Sequence, residues 1–123
     1  MTVSQAGVAP PLLRGAGKRF VSQFGRQIGG ALYPYTPYAA AAADVLLDSI
    51  ARSDGTRASV TRALLASHQN NGIVGSFSVT PAGDTTAGAV TIFRIRHGQP
   101  VPVRVITPPA SLARASEPRT RIP

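Results

Sequence analysis

The residue groupings able to do chemistry are few, and each can be held against the spacing that its chemistry requires. Gly15-Ala-Gly17-Lys18 invites comparison with a phosphate loop. That motif needs a glycine five positions before its Gly-Lys pair, and Ser or Thr after the lysine to reach the bound Mg²⁺. Here those positions hold Leu12 and Arg19, so the segment reads as the lead-in to a helix. His68 and His97 each stand beside an expected turn, without a second His or a carboxylate at metal-ligand spacing, which points to solvated surface roles and no metal. Asp44 and Asp48 are one helical turn apart and could in principle share a proton or a cation. They fall opposite an apolar face, so a solvated helix surface is the expectation.

Nucleophilic catalysis has equally little to stand on. The sequence has no Gly-x-Ser-x-Gly elbow, and with no cysteine it has neither a thiolate nucleophile nor a disulfide. No independent catalytic site and no cofactor are expected. The remaining grouping is Tyr33, Tyr35 and Tyr38, the one local concentration of aromatics in a chain that is only 6% aromatic. Two roles are open for it: packing at a helix start, or an aromatic wall facing a ligand.

These residues are placed by a simple order of elements. Residues 1–15 carry glycines and prolines without periodicity and read as an extended lead-in. From 16 to 28, Phe20, Val21, Phe24 and Ile28 share one arc at helical spacing and Lys18, Arg19, Ser22, Gln23 and Arg26 the other, with Gly29 and Gly30 as the stop. A Pro- and Tyr-rich connector, 31–38, is followed by a helix over 37–52, with Thr36 as its cap and Pro37 in its first turn. Its apolar face is read as Ala39, Ala42, Ala43, Leu46, Leu47 and Ile50, with Asp48 and Arg52 as a surface pair. A third helix, 57–67, is capped by Thr56, buries Val60 and Leu64, and is broken by Asn70-Asn71-Gly72. The pattern then changes to period two, predicting strands at 76–79, 89–96 and 101–106 with turns at 81–84 and 97–98. In the last strand Val101, Val103 and Val105 should make one apolar face. The tail from 110 to 123 has no pattern and is expected to be disordered.

Length and charge narrow the classes further. A chain of 123 residues has room for one domain. The net charge of +8 comes from 13 basic residues against five acids, spread along the chain rather than gathered beside aromatics or in a known motif. Such a balance permits weak, sequence-blind attraction to nucleic acid or an anionic surface, but no specific reading of bases. No stretch is long and apolar enough to span a membrane, and the first residues lack the charged and apolar regions of an export signal.

The order of pieces carries a resemblance. The run from Tyr38 to Thr56, then Val60-Thr-Arg-Ala-Leu-Leu65, Gly72-Ile-Val-Gly-Ser-Phe77, Pro81-Ala-Gly-Asp84 and Val90-Thr-Ile-Phe-Arg94 resembles the C-terminal end of type I periplasmic solute-binding proteins of branched-chain amino acid ABC transporters. The likeness covers about residues 36–107. It implies an α/β fold present only in part, three helices followed by about three short strands, with 1–109 as a partial C-terminal portion of a solute-binding domain. In that family two lobes close over a solute at a hinge and deliver it to a membrane permease, and most groups that hold the amino acid lie earlier in the chain. The resemblance therefore implies a fragment not competent to bind ligand alone, and an extracytoplasmic setting for the complete protein, although the chain as written would stay in the cytoplasm. It places a ligand-side aromatic at Tyr33 or Tyr35. In isolation the apolar faces of the first two helices would lack their usual partners, predicting poor solubility or self-association. The alternative function is a small basic module that binds nucleic acid or an anionic surface non-specifically.

Overall fold

The computed structural model describes residues 1–109; the tail from 110 to 123 lies outside the described residues. The chain forms two compact units. Residues 8–87 make a helical unit, and residues 1–7 join the segment from 88 onward in a second. The chain thus passes between the two twice, after Gly7 and after Ala87.

In the helical unit, α1 spans Gly15–Ile28, as its periodicity predicts. Gly29, at φ 65°, takes the left-handed conformation that a side chain resists, and its N–H closes the last turn on the Gly25 carbonyl. Phe20 and Phe24 stack with ring centroids 5.4 Å apart. They are half-buried with Val21, so the predicted apolar face is largely covered, while Ile28 at the helix end is exposed. Gly17 is the buried residue of α1, and a Cβ placed there would collide with the Ile73 carbonyl oxygen. Its small size lets the helix approach the backbone closely. The Gly-Ala-Gly-Lys grouping is thus a packing device, with Lys18 exposed to solvent.

Helix α2 spans Thr36–Ala51 with Pro37 in its first turn. Thr36 is not its cap: Tyr35 holds that position without a side-chain bond, and the Thr36 N–H turns back to the Tyr33 carbonyl at 3.1 Å. The buried residues of α2 are Pro37, Ala41, Val45 and Ser49, four residues apart, and not the face read from periodicity. Leu46, Leu47 and Ile50 remain exposed, as do Ala39, Ala42 and Ala43. The physical reason is that α2 is apolar on every side except the strip of Asp44 and Asp48. Periodicity locates that strip, but it cannot say which part of so broad an apolar arc a neighbour will cover.

The neighbour is α3, Arg57–Leu65, which packs on the small-residue stripe. A hydroxyl network joins the two: Ser49 Oγ donates to the Val45 carbonyl at 2.7 Å and lies 3.2 Å from Ser67 Oγ. Ser67 Oγ accepts from Arg52 Nη2 at 3.1 Å. Arg52 also binds Asp48 at 2.9 Å, the surface pair expected from its spacing. Thr56 caps α3, accepting from the Ser59 N–H at 3.3 Å, and Val60 and Leu64 are half-buried. The Thr56 hydroxyl and N–H both donate to Asp54, which holds that exposed carboxyl below the ordinary aspartate value.

The strands depart from expectation at three points. Residues 1–15, read as a lead-in, contain β1, Thr2–Ala6, and a short 3₁₀ turn at Pro10–Leu12. Four of the five β1 residues are exposed, so no alternation marks the strand; it is held by its backbone ladder. Asn70-Asn71-Gly72, read as a break, lies in β2, His68–Gly72, which pairs with β3, Gly75–Ser78. Asn71 at φ 54° and Gly75 at φ 97° supply the reversal. The turn at 81–84 forms as expected, the Gly83 N–H donating to the Thr80 carbonyl at 2.9 Å.

The second unit is an antiparallel sheet in the order β1-β4-β5, with β4 Val90–Arg96 and β5 Gln99–Ile106 joined at His97-Gly98. The single apolar face expected for β5 is not realised. Opposite Ile92 and Phe93 the register skips from Arg104 to Pro102, leaving Val103 as an extra residue. That bulge shifts the alternation, so Pro102 and Val105 are half-buried while Val101 and Val103 are exposed.

Candidate functional site

The aromatic connector is positioned by the start of α2. Within it, the Thr36 and Ala39 N–H groups donate to the Tyr33 and Tyr35 carbonyls, which anchors the two tyrosines to the helix through their backbones. Their rings point outward: Tyr33 is 83% exposed and Tyr35 57%. Tyr35 meets Tyr38 edge to face, centroids 6.4 Å apart and ring planes at 72°. This is a favoured arrangement for aromatic pairs.

Tyr38 has a different position. Its ring is half-buried and its hydroxyl accepts the Val8 N–H, which ties the entry of the helical unit to the first turn of α2. The structure therefore brings Tyr35 and Tyr38 together but separates them in character, one ring facing solvent and the other seated. Tyr33 stands apart from the pair in exposure.

Beside Tyr38 lies a feature that the sequence did not reveal, an apolar groove of about 410 Å³. Ala42 and Leu46 of α2, Leu64 of α3 and Phe77 of β3 line it. Its size falls within the range of small-molecule sites. Its chemistry does not suit a free amino acid, because among its lining residues only Tyr38 and Thr85 carry polar side chains, and the Tyr38 hydroxyl is engaged with Val8. Neither a cation for a carboxylate nor an anion for an ammonium lines it. A sequence signal existed in the apolar residues of α2 spread beyond one face, but the contributions from β3 and the Gly83 turn come from residues brought together only by folding.

The other candidate groups stay scattered. Asp44 and Asp48 are exposed. His68 is exposed too, with Nδ1 2.8 Å from Ser78 Oγ, and His97 sits in the β4–β5 turn. Among the described residues no group of three His, Cys, Asp or Glu is arranged to hold a metal, and no helix is long and apolar enough to cross a membrane.

No family model and no curated protein matches the sequence. Among solved structures, the chain is similar to a leucine binding protein, LivK, from Thermotoga maritima, at 21% identity with a TM-score of 0.76. The match covers 88% of this chain and 31% of the other, so the chain spans about a third of the length of the structure it resembles. Over most of its length, then, the chain has the fold of one part of a leucine-binding protein, three helices and antiparallel strands of an incomplete periplasmic-binding-protein architecture.

Proposed function

We propose that this chain is the C-terminal part of an ABC-transporter substrate-binding protein for amino acids or similar small solutes, and that it supplies an aromatic wall rather than a complete ligand site. The observation that carries this reading is the extent of the fold match, nearly all of this chain against less than a third of a leucine-binding protein. The absence of charged partners around the groove and the solvent-facing rings of Tyr33 and Tyr35 support its second half. In the complete protein the solute's charged ends are held by segments outside this one, the setting is extracytoplasmic, and the partner is a membrane permease. No catalysis is assigned.

Calorimetry tests the proposal. The isolated chain should show no specific binding of leucine, isoleucine or valine, and binding even in the low-millimolar range would contradict the partial-site reading. Fused to the N-terminal part of the Thermotoga protein, the chain should bind leucine. Alanine at both Tyr33 and Tyr35 should then cost about 1–3 kcal/mol, roughly ten- to a hundredfold in affinity. Tyr38→Ala should instead lower the melting temperature more than the affinity, because its hydroxyl and ring are part of the packing. Unchanged affinity in the Tyr33/Tyr35 double variant would remove the aromatic assignment.

A second reading has one observation in its favour. Among the described residues only Arg52 has a carboxylate within ion-pair distance, so Lys18, Arg19 and Arg26 on the outer face of α1 are uncompensated. A basic module would use them on phosphates without reading bases, and its binding would fall steeply with salt. Tight, sequence-selective retention of nucleic acid at physiological salt would replace the first reading.

A further inference from the structure

Asn70-Asn71-Gly72 has chemistry that the solute-binding reading leaves unused. Both asparagines are exposed in the β2–β3 hairpin. The ladder pairs Gln69 with Phe77 and Gly72 with Gly75, and its register breaks between them, so the two asparagines lie in a bulge. Asn71 is held there at φ 54°, a left-handed conformation that Asn tolerates better than most residues, and its N–H donates to the Ser76 Oγ at 3.0 Å. Gly72 differs from the glycines that make the turns of this chain. Its φ lies outside the left-handed range, and a Cβ built on it would meet nothing closer than the Gly75 carbonyl oxygen at 3.4 Å. Neither backbone conformation nor space requires glycine at 72. The missing side chain does leave an open approach to the Gly72 amide nitrogen, which follows the Asn71 side chain along the chain.

We propose that Asn71 is a self-modifying site, converted without an enzyme to a mixture of aspartate and isoaspartate. The Gly72 amide nitrogen gives up its proton to solvent base and attacks the Asn71 side-chain Cγ. The new bond closes a five-membered succinimide, the bond from Cγ to the side-chain nitrogen breaks, and that nitrogen leaves as ammonia with a proton taken from water. One water molecule then opens the ring at either carbonyl. Opening at one restores the main chain with aspartate; opening at the other routes it through the former side chain as isoaspartate. Water is the co-reactant, and nothing is oxidised or reduced. Bringing the nitrogen to Cγ requires rotation about the Asn71 backbone, which costs least in a bulge outside the paired positions. Asn70 is also exposed but is followed by Asn71, whose side chain crowds the corresponding nitrogen, so the reaction belongs to 71. Its position gives it a consequence. Two residues on, the Ile73 carbonyl is the group to which Gly17 lets α1 approach. Isoaspartate adds a main-chain carbon and a negative charge beside that turn, which displaces the contact and lowers the stability of the helical unit.

Peptide mapping of the full chain, held in native buffer at mildly alkaline pH and sampled over days, tests the site. The peptide carrying residues 70–72 should gain the mass of an amide turned acid and divide into two chromatographic isomers. Fragmentation should place the change at Asn71 and leave Asn70 intact. In water enriched in heavy oxygen the product should carry the label, and the loss should quicken as pH rises. Gly72→Ala, which the contacts above allow to fold and circular dichroism verifies, should cut the loss to a small fraction of the parent rate. The aged chain should unfold at lower denaturant than the fresh one. Three results would overturn the assignment: Asn71 as durable as Asn70, a loss unchanged by Gly72→Ala, or a loss seen in urea and absent from the native chain. The last would show that the hairpin locks the asparagine away from its neighbour. An aged chain with the midpoint of the fresh one would remove the coupling to α1.

Discussion

Helices α1 and α2 each show an apolar face in sequence, but the two faces have opposite fates in the structure. In α1 the predicted face of Phe20, Val21 and Phe24 is the one that the unit covers. In α2 the predicted face is left open and the helix packs through Pro37, Ala41, Val45 and Ser49 instead. The difference lies in the width of the apolar arc. The narrow arc of α1, bounded by Lys18, Arg19 and Arg26, leaves one way to bury it. The arc of α2 spares only the strip of Asp44 and Asp48, so more than one side of it can be buried, and among the described residues the outward side is left open.

The comparison can be broken most severely at Gly17, which brings α1 to its close approach. Gly17→Ala puts a Cβ against the Ile73 carbonyl, and backbone offers no flexible end to move aside. A loss of about 3 kcal/mol is expected, seen as a large fall in the denaturation midpoint at unchanged slope. A midpoint within experimental error of the parent would show that α1 does not depend on that contact.

Matched truncations sharpen the contrast. Phe24→Ala should destabilise the isolated chain by about 2 kcal/mol, because it removes half-buried surface and the stack with Phe20. Leu47→Ala should stay within about 0.5 kcal/mol, because its side chain is mostly in water. Equal effects in thermal or urea unfolding would mean that the outward face of α2 is covered in solution.

Ser49 tests the side of α2 that is used. It is fully buried, and Ser49→Ala removes its bond to the Val45 carbonyl and its partner Ser67, for an expected cost of about 1 kcal/mol. Ser49→Val, larger and without the hydroxyl, should cost more if the helices approach as closely as this stripe allows.

The smallest effect is expected at the α3 start. Hydrogen bonds from the Thr56 hydroxyl and N–H lower the Asp54 pKa in the folded state. A depressed carboxyl contributes stability that is fully present above its unfolded value and is lost as pH falls through the folded one. Its share should therefore hold from neutrality down to about pH 4 and disappear below it. Asp54→Ala should lower stability slightly at neutral pH and flatten the acid limb of a stability–pH curve. An acid limb of unchanged shape would show that the turn leaves the carboxyl free.

Local chemistry was enough for much of this protein. Gly29 and Gly30 end α1, Thr56 caps α3, the Asp48–Arg52 pair forms at its expected spacing, and the turns at 81–84 and 97–98 appear where glycine permits them. These depend on residues a few positions apart, whose interactions follow from the backbone they share. The resemblance written in residues 36–107 likewise foretold the fold that the comparison with the leucine-binding protein shows. Tertiary structure alone decided which side of α2 is buried, that the Gly17 contact sets the approach of α1, that the mostly exposed residues 2–6 are a strand, and that a bulge at Val103 redirects the faces of β5. Each of these depends on a partner distant in sequence: Ser67 for Ser49, Ile73 for Gly17, Val90 to Arg94 for β1, Ile92 and Phe93 for the bulge. Periodicity measures how apolar a face is, but burial depends on what arrives to cover it. On α2 the apolar pattern is broader than the surface that the described residues bury.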